Sequence, residues 1–116
     1  MYSISGTTIK MTRGDTLIVA LNLTYDGEPY TPAEGDVIKF MACKGELNPT
    51  KSAYKDNTIL IEKTIPNDTM VLRLNPNDTK ELSFGTYAYD MEITFEDGRV
   101  DTFIQGQKLV IMPEVG

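Results

Sequence analysis

Carboxylates are the side chains in this sequence with the most obvious capacity for chemistry. Asp90, Glu92, Glu96, Asp97 and Asp101 fall close together near one turn signal. Paired carboxylates can hydrolyse glycosidic bonds, and sets of about six to eight oxygens can hold calcium. Here Asp90 and Glu92 are the outward residues of an alternating run, where charge keeps a strand face wet. No Asp-x-Asp-x-Asp-Gly loop is present, so the reading is a solvated face with no catalytic residue and no metal site. Histidine is absent altogether, which removes the commonest general base and excludes Ser-His-Asp and Cys-His catalysis within the chain. The single cysteine, Cys43, lies in the apolar run Val37-Ile38-Lys39-Phe40-Met41-Ala42-Cys43 and reads as a small core residue.

The aromatic residues raise a different possibility. Tyr87 and Tyr89 could stack on a sugar, but they share a face with Met91 and Ile93 and are expected in the core. Phe103 is expected opposite Glu92 on the outer face. It then lies either under the loop Gly45 to Asn57 or in an interface, with Glu92 and Asp101 as its neighbours. Those three form the candidate interface. Three Asn-x-Thr sequences, at Asn22, Asn67 and Asn77, match the glycosylation pattern. The last two read as turn and cap chemistry.

The elements that must position these residues are strands. Leu17, Val19, Leu21 and Leu23 share a face between Asp15 and Thr24, after a short strand Thr8–Thr12. Asp26-Gly27 marks a turn, with Pro29 and Pro32 expected to stop a regular hairpin at Glu28. Val37 to Lys44 is a further strand, and Gly45 to Asn57 is the longest loop. Ile59 and Ile61 share a face with Lys63. Met70, Leu72 and Leu74 share another. Asn75-Pro76 caps and opens one short helical turn. Tyr87, Tyr89, Met91, Ile93 and Phe95 line the clearest strand.

Asp97-Gly98 signals a two-residue hairpin loop, which pairs Glu96 with Arg99, Phe95 with Val100, Ile93 with Thr102 and Met91 with Ile104. That register would leave Leu109 and Ile111 pointing outward. A one-residue bulge at Gly106-Gln107 returns them to the core and sets Leu109 opposite Tyr87. Seven or eight strands with one helical turn imply a single all-β domain over residues 1–116, either a closed barrel or two packed sheets, and the strand count favours an antiparallel immunoglobulin-like sandwich. The expected core is Leu17, Val19, Leu21, Leu23, Phe40, Ile59, Ile61, Leu72, Leu74, Tyr87, Tyr89, Met91, Ile93 and Leu109.

Lys and Arg number 11 against 17 Asp and Glu, a net charge of −6. Such a surface repels phosphate backbones and anionic lipid, so neither nucleic acid nor membrane is an expected partner. No run approaches the roughly 20 apolar residues of a spanning helix. Met1-Tyr2-Ser3-Ile4-Ser5-Gly6 lacks the basic and apolar regions of a signal peptide.

The order of motifs resembles a known group. Arg13-Gly14-Asp15-Thr16, Asp26-Gly27-Glu28-Pro29 and Gly35-Asp36-Val37-Ile38-Lys39-Phe40 come first. Leu74-Asn75-Pro76-Asn77-Asp78-Thr79 follows, then Phe84-Gly85-Thr86-Tyr87-Ala88-Tyr89-Asp90-Met91-Glu92 and Asp97-Gly98-Arg99-Val100-Asp101-Thr102-Phe103. Together they resemble the small immunoglobulin-like domains of tailed bacteriophages and prophages, in particular the N-terminal domain of phage baseplate upper proteins. The resemblance implies a non-enzymatic tail or baseplate subunit of a virion, found in the host bacterium's cytoplasm before assembly. Its partners would be other phage structural proteins or copies of itself, with no cofactor. Arg-Gly-Asp reads as a strand entry. The alternative class is a cell-surface or secreted binding module, such as one recognising carbohydrate, against which the missing signal peptide counts.

Overall fold

The computed structural model describes residues 2–5, 7–25, 27–45, 47–48, 53–54 and 58–114. Its strands in chain order are β1 (Tyr2–Ser5), β2 (Thr8–Thr12), β3 (Leu17–Ala20), β4 (Thr24–Tyr25), β5 (Glu28–Pro29), β6 (Val37–Cys43), β7 (Leu47–Asn48), β8 (Ala53–Tyr54), β9 (Ile61–Ile65), β10 (Val71–Leu74), β11 (Gly85–Thr94) and β12 (Val100–Met112). One helical turn, α1 (Pro76–Thr79), lies between β10 and β11. The protein is therefore β-rich, as its alternating pattern requires.

Six strands form one sheet in the order β1-β2-β12-β11-β6-β9, and β10 pairs with β3 in a separate two-stranded unit. One apolar cluster joins the two. It takes Ile9 and Met11 from β2, Ile38 and Phe40 from β6, Tyr89 and Met91 from β11, Leu109 and Ile111 from β12, and Leu17, Leu72 and Leu74 from the two-stranded unit. Burial of these side chains is the main force closing one unit on the other. Phe40 and Tyr89 meet at the centre with ring centroids 5.2 Å apart.

The sheet is not wholly antiparallel. β12 runs parallel to β2, with Leu109 beside Ile9 and Ile111 beside Met11. This register brings four buried side chains together. The direction of β2 is set by the Arg13-Gly14 turn, which must carry the chain out of the sheet to β3.

Most of the expected core is buried, including Leu17, Phe40, Ile61, Leu72, Leu74, Tyr87, Tyr89, Met91, Ile93 and Leu109. Ile59 is not: it is 48% exposed because β9 starts only at Ile61. Val19, Leu21 and Leu23 pack at the margin of the cluster while staying partly exposed. β3 ends at Ala20, so the last two lie beyond the strand.

The β4–β5 hairpin outlasts its expected stop. Thr24 pairs with Pro29, and the Tyr30 amide still donates to the Leu23 carbonyl at 2.9 Å. Pro29 needs no amide partner there, so it does not break the ladder. Of the expected loop Gly45 to Asn57, Leu47–Asn48 pairs with Ala53–Tyr54, and positions 46, 49–52 and 55–57 lie outside the described residues.

The β11–β12 hairpin differs from the two-residue loop. The Phe95 amide donates to the Arg99 carbonyl at 2.7 Å, and the Gly98 amide to the Phe95 carbonyl at 2.9 Å. Gly98 has φ +94°. The loop is thus three residues, Glu96 to Gly98, closed by a glycine in the left-handed region. Ile93 consequently faces Asp101 rather than Thr102, and Glu92 faces Thr102.

Two shifts then restore the expected register. Phe103 is an extra residue between the pairs Glu92–Thr102 and Met91–Ile104. Gln105 and Gly106 together oppose Asp90, after which Tyr87 meets Leu109 as expected. Gly106 has φ +64° and lies in a bulge as expected, but the bulged pair is Gln105-Gly106 rather than Gly106-Gln107, since Gln107 pairs with Tyr89.

Candidate functional site at the loop end

The most organised polar cluster of the described chain centres on Asp36. The residue sits just before β6, at the end of a turn in which its amide donates to the Ala33 carbonyl at 3.0 Å. It is only 5% exposed. One carboxylate oxygen, Oδ2, accepts the Tyr30 hydroxyl at 2.7 Å and the Ala33 amide at 2.9 Å. The other, Oδ1, accepts the Glu96 amide at 3.0 Å. One side chain thereby braces its own loop, residues 30–36, and ties it to the distant hairpin at Glu96.

Asn67 adds a third segment. Its Nδ2 donates to the Ala33 carbonyl at 2.9 Å and to the Asp36 carbonyl at 2.6 Å. The Tyr30 ring meets Phe95 at 6.1 Å, and the Arg99 guanidinium lies 4.9 Å from the Phe95 centroid. Donation from Tyr30, then from the Ala33 amide, holds the Asp36 carboxyl below its ordinary value, against the opposing effect of burial. The same bond raises the Tyr30 phenol, because losing that proton would put two negative charges side by side.

Two open grooves flank this network. One, of about 570 Å³, runs between Pro32, Val37, Ile65 and Asn67. The second, of about 470 Å³, lies among Asn22, Leu23, Tyr30, Asn67 and Met70. Thr31, Pro32, Asn67 and Asp68 border both. Met70 is the one described non-glycine residue with positive φ, at +53°. Its carbonyl accepts the Leu21 amide at 2.8 Å, which fixes the wall of the second groove. The arrangement presents a preformed loop surface. It pairs no nucleophile with a base.

At the opposite end, Arg13 is committed to the chain itself. Its Nη2 and Nε contact the Glu114 carboxylate at 2.7 and 3.1 Å. The guanidinium also lies 4.3 Å from the Phe84 ring centroid. Gly14 donates its amide to Thr79 Oγ1 at 2.8 Å. Arg-Gly-Asp therefore forms the turn between β2 and β3, as a strand entry would.

The candidate interface residues take different places on the β11–β12 ladder. Glu92 faces Lys39 on one side and Thr102 on the other. Asp101 is exposed at the hairpin. Phe103 does not pair with Glu92. As the bulged residue it packs, half-buried, against the core cluster.

The other acidic residues separate likewise. Asp90 accepts the Gly106 amide at 2.7 Å, and Asp97 contacts Arg99 at 2.8 Å. Among the described residues no three His, Cys, Asp or Glu side chains are grouped to hold a metal ion. Tyr87 and Tyr89 are buried, with their hydroxyls donated to the Ser83 and Thr7 carbonyls.

The sequence assigns Asp36 and Tyr30 no site role and gives Asn67 only turn chemistry. The available signal was Gly35-Asp36 immediately before a strand, a pattern that suits a side chain bonding nearby backbone. Among the described residues no helix is long and apolar enough to cross a membrane. Compared with known proteins, the chain matches no protein-family model, no curated protein and no solved structure.

Proposed function

We propose that this chain is a non-enzymatic structural subunit of a bacteriophage or prophage tail, built on an immunoglobulin-like sandwich and acting through protein–protein assembly. The observation that carries the reading is how the motif residues are used. Asp36, from the Gly-Asp-Val motif, binds the backbone of its own loops. Thr79, from the Asn-Pro-Asn-Asp-Thr motif, accepts the amide of Gly14. These two are the buried polar residues of the described chain, and both serve the fold. A scaffold subunit needs such residues for shape, whereas an enzyme would hold some in reserve for substrate.

The strand order supports the sandwich. The neighbours β12-β11-β6 in one sheet and the pairing of β3 with β10 in another support it, because that fold has G-F-C and B-E neighbours. The assigned partners are other tail proteins or further copies of the chain, and the assigned place is the virion, with host cytoplasm before assembly. The test is immunogold labelling and mass spectrometry of gradient-purified particles from an induced lysogen carrying the gene. Labelled tails are expected. Label confined to the cell envelope, with none on particles, sinks the proposal.

A carbohydrate-binding role is the second reading. The groove bordered by Asn22, Tyr30, Thr31, Asn67 and Asp68 supports it by offering amide, hydroxyl and carboxylate groups beside an aromatic ring. A glycan array separates the two readings, because the structural subunit binds none of its sugars.

A further inference from the structure

The edge strand β9 carries a charge where its neighbours carry core side chains. Ile61 and Ile65 are 3% and 1% exposed, and they point into the core. Glu62 and Thr64 face water. Lys63 shares the inward side with the two isoleucines and is half-buried. Its Nζ lies 2.9 Å from Asp78 Oδ2. That same oxygen accepts the Asn75 amide at 2.7 Å, so its position is set by the start of α1.

β9 ends the strand order of the six-stranded sheet. Among the described residues it pairs along one side only, with β6. An edge of this kind presents N–H and C=O groups that can template another strand. The sequence Ile61-Glu62-Lys63-Thr64-Ile65 is symmetric in pattern about its centre. An antiparallel second copy centred on position 63 would set Ile61 against that copy's Ile65 and Glu62 against its Thr64. Both contacts are favourable or neutral. It would also set Lys63 against Lys63. Like charges directly opposite one another oppose pairing, and partial burial leaves them less screened than in water.

We propose that Lys63 guards this edge: it prevents β9 from pairing with β9 of a second copy and reserves association for other surfaces. A charged residue facing inward on an edge strand is a device against edge pairing, and Asp78 makes that charge tolerable within the fold. The guard is independent of the tail assignment, since it concerns only how copies of the chain avoid one another.

Sedimentation velocity of the whole chain and three variants tests it, after circular dichroism confirms each is folded. Lys63→Met keeps the length and removes the charge, and it is expected to shift from the wild-type mass to twice that mass as concentration rises. Lys63→Arg keeps the charge and is expected to match the wild type. Asp78→Asn breaks the ion pair but leaves the lysine charged, so it is expected to melt earlier and still match the wild type in mass. A Lys63→Met distribution identical to wild type at every concentration overturns the proposal. So does Asp78→Asn associating as strongly as Lys63→Met, because association would then follow loss of the ion pair. Should Lys63→Met fail to fold, Lys63→Gln is judged by the same outcomes.

Discussion

Asp90 accepts the backbone amide of Gly106 across the β11–β12 ladder, Oδ1 to N, at 2.7 Å. The bond falls where Gln105 and Gly106 oppose a single residue. A bulge leaves an amide without its ladder partner, and here a side chain from the facing strand supplies one. The mid-strand glycine and the outward aspartate thus act together to turn Leu109 and Ile111 into the core.

Gly106→Val should destabilise the protein by roughly 2 kcal/mol, because a side chain at positive φ costs about 1–2 kcal/mol and β-branching adds strain. Asp90→Ala should cost about 1 kcal/mol through the orphaned amide. Urea denaturation measures both. A loss for Gly106→Val no greater than that of an ordinary exposed strand substitution contradicts the bulge.

Asp36 makes stability depend on acid pH. Its folded carboxyl titrates below the ordinary value of 3.8, first because of the Tyr30 hydroxyl. A depressed carboxyl contributes stability that is complete above the unfolded value and is lost as pH falls through the folded one. Melting temperatures recorded from pH 6 down to pH 2 should therefore fall less steeply below about pH 4 for Asp36→Asn than for wild type. Tyr30→Phe should move the Asp36 carboxyl back up, as read from its carboxyl carbon shift in an NMR titration.

Asn67 donates to two carbonyls at once. Asn67→Ala should cost about 1–2 kcal/mol. Asn67→Asp, nearly the same shape, should cost more, because it turns a donor into a charged acceptor facing two carbonyl oxygens. Guanidinium melts of the pair give the order, and an aspartate variant as stable as wild type would contradict the tether.

Phe103 packs half-buried against the core cluster. Phe103→Ser should lower stability by about 2 kcal/mol, somewhat less than truncation of a fully buried aromatic. Self-association of the folded variant, followed by sedimentation, should be unchanged. A variant with unaltered melting and weakened association would instead put the ring in an interface.

Alternation alone identified β11, because Tyr87, Tyr89, Met91 and Ile93 can share one dry face only in a strand. Leu109 and Ile111 implied a register correction, and Gly106 marked where. Asn75-Pro76 announced α1: Asn75 is its N-cap and Pro76 its first residue, and Asp78 reaches back to the Asn75 amide at 2.7 Å to close a capping box. Asp97-Gly98 fits two turn types, so the pair alone does not determine the hairpin loop. In one the pair forms the whole loop; in the other Gly98 closes a three-residue loop. That one-residue difference moved Phe103 from the outer face to the bulge. The Asp36 network was invisible for a different reason. Tyr30 and Ala33 lie close by in sequence, but Glu96 and Asn67 reach Asp36 only once β11 and β9 have paired with β6, and no local pattern records that convergence.

The parallel pairing of β2 with β12 has a kinetic consequence. On the β12 side, Ile9 and Met11 find their neighbours, Leu109 and Ile111, only across a long stretch of chain. The entropy of closing so large a loop must be met before those contacts form, and folds dominated by distant contacts reach the native state slowly, on the order of milliseconds to seconds. During synthesis, β2 is made early and waits for its neighbour until β12 has left the ribosome. Until then Ile9 and Met11 lack their cover, and the emerging chain exposes apolar surface that chaperones would bind. The domain should therefore complete its fold only once β12 has left the ribosome, and any fragment that stops before Leu109 should remain unfinished.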